Sequence, residues 1–401
     1  MQALVARLLR IMDTGILPAL PLVFLMSEIV AGARGGEALQ PASGWPAPGT
    51  LLDGGLLRLV APVPVILLLL GDRLGDALQD AQAAQGIFAS DSVSLRPLVA
   101  GLAIAAAAGV AFRVAWLVWE SDGSARLPKD WRLATVGVWS FGWPSMPSLV
   151  AVGAIVLDVA TPIEAAGLGV VVAVLLAGLS AGVRREVVLV GFAAGAAAML
   201  LRVFVDLRLT RVVIPTGGKI AIAAAVLCLI VLVACIGLVA VRLAKAKAAW
   251  IGRSLGSAAG RAADLFLLLA GSAAALLVFD AVGGRAALAY ALGRLPAVLT
   301  WLLTLSGGAL VAGVEGSAFA TVLYLPLVGA VALALPAQTG SGAAVLFGIL
   351  FMLAMLAGLV GRRSAAAEPA LMRFGVLAFS AVVTTLLAWL VPGLYGGIPR
   401  V

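Results

Sequence analysis

Hydrophobic residues along this chain come in blocks of about twenty, parted by short polar or basic joints. The blocks fall at 15–32, 51–71, 97–119, 137–158, 163–183, 187–205, 219–242, 263–282, 296–313, 317–336, 342–361 and 371–392. At 1.5 Å per residue each is long enough to cross a hydrocarbon layer of about 30 Å. Backbone in lipid must satisfy its own hydrogen bonds, so each block predicts a helix. The expected fold class is an all-α polytopic membrane protein with about 12 transmembrane helices. By sequence it parts into 1–136, 137–255 and 256–401.

One block departs from this pattern. Residues 51–102 place Arg58, Pro62 and Pro64 within an apolar run, then a polar segment from Gly71 to Arg96. Proline removes a backbone donor and clashes with the preceding turn, so a helix break is expected near Pro62. Broken backbone at membrane depth survives only where it is buried in protein or lines a cavity, and transporters bind substrate and ions at such breaks. Just beyond, Asp72, Asp76 and Asp80 recur every four residues and share one helical face. Clustered carboxylates suit a hard cation. The interleaved Arg73, Gln79, Gln82 and Gln85 favour instead an amphipathic helix with a solvated face.

Composition supports the membrane class. Of 401 residues, 63% are hydrophobic and 11% charged, and mean hydropathy is +1.15. The 47 glycines suit helices that approach closely in lipid. With no histidine, imidazole metal ligation and histidine acid–base catalysis are excluded. No constellation for enzymatic chemistry stands out, no cofactor is expected, and the basic balance is that of membrane loops rather than nucleic-acid binding. Cys228 and Cys235, seven residues apart in one apolar block, read as small core residues. The N-terminal MQALVARLLRIMD has no small-residue cleavage site and is not expected to be a signal peptide.

Loop charge sets orientation. The stretch 242–261 carries Arg242, Lys245, Lys247, Arg253 and Arg261 with no acid, and is expected to be a cytoplasmic loop. Counting outward places the Arg126/Lys129/Arg132, Arg184-Arg185 and Arg362-Arg363 joints on the same side, with 72–96 opposite. Trp116, Trp119, Trp131, Trp139 and Trp143 read as an interfacial belt. The Gly- and Ala-rich faces at 101–111 and 191–199 read as docking surfaces for neighbouring helices.

Two further features bear on site chemistry. Thr161, Pro162 and Glu164 have the spacing of a capping box with proline at the first helical position. Glu315 stands in an apolar context, where a carboxylate is a functional candidate unless it faces water at a helix end.

Several of these residues follow a family pattern. Gly55, Leu57, Pro62, Leu67, Gly71, Asp72, Ala77, Gln79, Ala81, Gln82, Gly86-Ile87-Phe88, Val93-Ser94 and Ala100-Gly101, with the Thr161-Pro162-Ile163-Glu164-Ala165-Ala166 run, resemble the large membrane subunit of TRAP (tripartite ATP-independent periplasmic) transporters. The likeness is to the long form with a mid-chain insertion, here at 187–255. It implies an inverted-repeat ion-transporter fold in a bacterial inner membrane, with Pro62, Asp72 and Glu315 as remnant transport-site positions.

The resemblance is incomplete. Where the family has two or more spans and a re-entrant hairpin, this chain has GGEALQPASGWPAPGTLLDG, a joint that reads as a deletion. In the second repeat the family's Asn aligns with Ala354, and its Thr-Pro-Pro break aligns with Gly361-Arg362-Arg363. In the first repeat the family's paired proline break is reduced to Pro62-Val63, and loss of the binding elements in both repeats predicts a subunit that no longer transports and serves a larger membrane complex through other integral membrane subunits. The alternative is an active ion-coupled importer of organic acids, with a small TRAP membrane subunit and a periplasmic solute-binding protein as partners.

Overall fold

The computed structural model describes residues 16–34, 63–84, 93, 95–120, 146–157, 159–204, 216–335, 341–362 and 370–391. Among these the regular structure is helical throughout, with no strand. The helices are α1 (Ile16–Arg34), α2 (Val63–Ala84), α3 (Leu95–Glu120), α4 (Met146–Val156), α5 (Pro162–Ser180), α6 (Arg185–Phe204) and α7 (Thr216–Ala281). Then follow α8 (Gly284–Gly293), α9 (Ala297–Val314), α10 (Ser317–Ala334), α11 (Ser341–Arg362) and α12 (Ala370–Leu390).

Among the described residues, six stretches are long and apolar enough to cross a membrane: Pro162–Leu179, Gly218–Lys245, Trp250–Ala281, Ala297–Val314, Ser317–Ala334 and Gly342–Leu359. The chain is thus an all-helical protein of the multi-pass membrane kind. Two of the six lie on α7, a single helix of 66 residues. The basic stretch 242–261, expected to be a loop, is therefore helical. Its composition explains this, since RLAKAKAAWIGRSLGSAAGR is rich in Ala, Leu, Lys and Arg and contains no proline.

The chain divides into two compact units. One holds the described residues of Gly15–Pro64 and Thr135–Ala263, the other those of Val65–Ala134 and Asp264–Val401. In the first, α1 lies along α5, with Gly169 facing Met26, Ala151 and the Pro147 carbonyl. Thr161 caps α5: its hydroxyl accepts from the Glu164 N–H at 3.4 Å, and Glu164 Oε2 accepts from the Thr161 N–H at 2.9 Å. Gly182, at φ +74°, turns the chain into α6. Gly191 then lets α6 approach Leu175 of α5 and Cys235 of α7. Both cysteines are free thiols, Cys235 buried and Cys228 half-buried. On the far side of α1, Glu28 pairs with Arg261 at 2.9 Å and accepts from Ser257 at 3.2 Å.

In the second unit, α2 lies at the centre. Val65 to Leu70 are six consecutive buried residues, so the helix is enclosed on every side over nearly two turns. Leu70 and Leu74 face Gly348 of α11 beside Leu98 of α3. Ala77 packs on Ala330 and Ala334 of α10. The expectation of a solvated amphipathic helix at 72–96 is corrected: 72–84 continues α2, with Arg73, Leu74, Ala77 and Leu78 buried and only a narrow polar edge left. Ile66, leucine at 67–70, Leu74 and Leu78 give this segment an apolar contact surface wide enough to override its charges.

The other helices close around it. Gly109 of α3 meets Ser380 and Val376 of α12, and Gly375 of α12 meets Phe112. The Phe112 and Phe379 rings lie 5.2 Å apart. Gly109 is therefore committed to an internal contact, which corrects the expectation that this part of 101–111 is a docking face. Small residues there admit a helix, but the helix is the chain's own.

Candidate functional site

The polar edge of α2 carries three carboxylates and one guanidinium within nine residues. Asp72, Asp76 and Asp80 are each partly buried, Gln79 is exposed, and Arg73 is 6% exposed. Burial pushes the Asp72 carboxyl up from 3.8 to about 6; the Asp76 charge adds to this and the Arg73 charge opposes it. Asp72 thus changes charge near neutral pH, unlike a solvated aspartate.

The C-terminal end of this edge is tied to a turn. Gly283, at φ +74°, ends α7 and starts α8. That fold-back sets Arg285 Nε 2.7 Å from Asp280 Oδ1, and Arg285 Nη2 lies 3.7 Å from Asp80 Oδ2. All three side chains are at least partly buried, at 19% exposure for Arg285, 28% for Asp280 and 38% for Asp80. One guanidinium therefore joins α2 to the α7–α8 turn. Arg285 was not among the candidate residues of the sequence; an arginine directly following two glycines was the available signal.

A second irregular element is the α9–α10 hairpin. Glu315 is the exposed C-cap of α9, and Gly316 takes φ +110°, a conformation open to glycine. From Ala320 to Gly329 the helix widens into π geometry around Pro326. Proline lacks an N–H and crowds the carbonyl four residues back, and a wider turn relieves that clash. π stretches often mark functional sites, but the hydroxyls here are committed to helix carbonyls. Thr321 donates to Ser317 O at 2.8 Å, Thr304 to Thr300 O at 2.8 Å, and Tyr324 to Thr304 O at 3.1 Å. Aromatic rings fill the rest, with Tyr324 stacked on Phe351 at 6.2 Å and Trp301 edge-on to Phe347 at 5.4 Å.

Of the remnant transport-site positions, Pro62 lies outside the described residues. Asp72 sits on α2 and Glu315 on the α9–α10 turn, and no hydrogen bond or ion pair joins the two. The three α2 aspartates are about 6 Å apart per step along the axis, so the outer two are about 12 Å apart. A calcium ion holds its ligands at about 2.3–2.6 Å. Among the described residues no three acidic, cysteine or histidine side chains converge to hold a metal. Ala354 lies within α11, which runs unbroken to Arg362. Of the tryptophan belt, Trp116 and Trp119 lie on α3; Trp131, Trp139 and Trp143 lie outside the described residues.

The arrangement is therefore a buried helix with a titratable carboxyl, locked at one end by an arginine, beside a hairpin packed with aromatic rings. Compared with family models, curated proteins and solved structures, the chain matches none.

Proposed function

We propose that this chain is a TRAP-large-subunit-like membrane protein that no longer transports and serves as a structural or accessory subunit of a larger bacterial inner-membrane complex. In this reading the chain keeps about twelve membrane passages of the inverted-repeat fold. The observation that carries the proposal is the continuity of α11 from Ser341 to Arg362. A transport site built from a broken helix needs unwound carbonyls and helix termini in that segment. Here the backbone groups up to Gly361 stay within the helix, which ends at Arg362; Arg363 lies outside the described residues.

Two measurements test this. The purified chain should show no sodium-specific rise in melting temperature relative to potassium at equal ionic strength. Under mild detergent it should co-purify from native membranes with other membrane subunits in fixed stoichiometry. Isolation as a lone monomer, with substrate uptake in reconstituted vesicles, would refute the reading. The second reading, an ion-coupled importer of organic acids, is favoured by the wide turn at Pro326 and the interruption at Gly316, which give α9–α10 an irregular hairpin. Sodium-dependent stabilisation would select it.

A further inference from the structure

A long exposed apolar surface on α7 changes character abruptly at one point. On α7, Leu227, Ile230, Val233, Leu238 and Val241 are 54–66% exposed. Val239 and Leu243 face inward at 0% and 4%. The outward face is therefore fixed by packing, and on it the next residues are Arg242 and Lys245, both exposed. No acid occurs between Thr216 and Ala263, so this basic step has no carboxylate neighbour on its own helix.

The spacing matches a bilayer. Lys219 and Arg242 are 23 residues apart, about 35 Å along a helix. A hydrocarbon core is about 30 Å thick, and about 40–45 Å with the headgroup regions. With the apolar stripe in hydrocarbon, Arg242 and Lys245 arrive at headgroup depth, one turn apart on the same face. Arginine binds phosphate through a fork of donors, and lysine adds a point charge beside it.

We propose that Arg242 and Lys245 form a seat for anionic phospholipid headgroups on the membrane-facing side of α7. Charge complementarity selects an acidic lipid over a zwitterionic one. The apolar residues leading up to the step give that lipid's acyl chains a matching surface. The seat rests on the membrane placement of Gly218–Lys245 and is independent of whether the chain transports.

The test uses the full chain in dodecyl maltoside with phosphatidylglycerol or phosphatidylcholine added at equal amounts. Phosphatidylglycerol should raise the melting temperature by about 2–4 °C, by binding the folded state preferentially. Phosphatidylcholine and inorganic phosphate should not. The rise should vanish in the double variant Arg242→Gln/Lys245→Gln and persist in a control, Arg184→Gln/Arg185→Gln, that removes equal charge elsewhere. Equal stabilisation by both lipids, stabilisation by inorganic phosphate alone, or a rise retained in the double variant would each overturn the proposal. Should the double variant not fold, the wild-type chain taken from vesicles of equal phosphatidylglycerol and phosphatidylcholine gives a second readout. Native mass spectrometry should show phosphatidylglycerol adducts in at least about threefold excess, and equal adducts would refute the seat.

Discussion

Replacing Gly358 with alanine should destabilise the protein, although alanine is the better helix former by about 1 kcal/mol. Gly358 lies on α11 where it crosses α9. A Cβ there would overlap the Ala309 carbonyl oxygen and fall 2.9 Å from its carbon and 3.0 Å from the Gly313 nitrogen. All three atoms are backbone, so no side chain can rotate away. Gly313 faces the same crossing from α9, where an added Cβ would come within 3.2 Å of the Gly358 oxygen. Each helix thus presents a glycine to the other's backbone, the close approach that small residues permit in lipid. Relief requires the helices to part by on the order of an ångström, which also loosens the dispersion contacts of neighbouring rings. Overpacking of this kind costs about 1–3 kcal/mol, enough to outweigh the gain in propensity. Gly237→Ala on α7 is the control, because nothing lies within 4 Å of its added methyl. In detergent melts followed by tryptophan fluorescence, Gly358→Ala should melt several degrees below wild type and Gly237→Ala at or above it. Equal melting temperatures for the two variants would show that the α9–α11 crossing is not as tight as described.

Other substitutions probe separate parts of the fold. The folded pKa of Asp72 is raised, so its contribution to stability is full below the unfolded value near 3.8 and is lost as pH rises through about 6. A rise of this size corresponds to about 3 kcal/mol of preference for the neutral form. Asp72→Asn should therefore flatten the fall in melting temperature between about pH 4 and 6.5; an unchanged profile would remove Asp72 as its source. Thr161→Ala should cost about 1 kcal/mol through loss of the α5 cap, whereas Glu164→Gln keeps a capping partner and should lose less than about 1 kcal/mol with its exposed 3.3 Å pair to Arg202. Gly109→Leu should lower the melting temperature of the isolated chain because it strikes Ser380 and Val376, while Gly195→Leu, with Leu232 at 3.8 Å, should be milder.

Much of the helical layout was legible because hydrophobic blocks of about twenty residues have few other solutions in lipid. The cap at Thr161 could be read locally, since proline and capping residues act within one turn. The loop at 242–261 was misplaced because positive charge was read as a break. Charge reports which side of a membrane a segment prefers, whereas helix continuity depends on backbone chemistry, and Ala-, Lys- and Arg-rich sequence continues a helix readily.

The charged edge of α2 shows why the site was harder to read than the fold. Three aspartates at four-residue spacing give a face whose meaning depends on what lies opposite, and the sequence is silent on that. Apolar residues on the other faces drew α2 into the centre of its unit, carrying Arg73 below the surface and Asp72 partly with it. Arg285, more than two hundred residues away in sequence, then fixed the outer end by pairing with Asp80 and Asp280. A buried charged helix is costly unless its charges meet opposite charge, so the Gly283 turn that delivers Arg285 is a condition for burying α2 in this position. Periodicity could therefore locate the carboxylates, but only the fold-back between α7 and α8 decides that they form a locked internal edge rather than an open cation site.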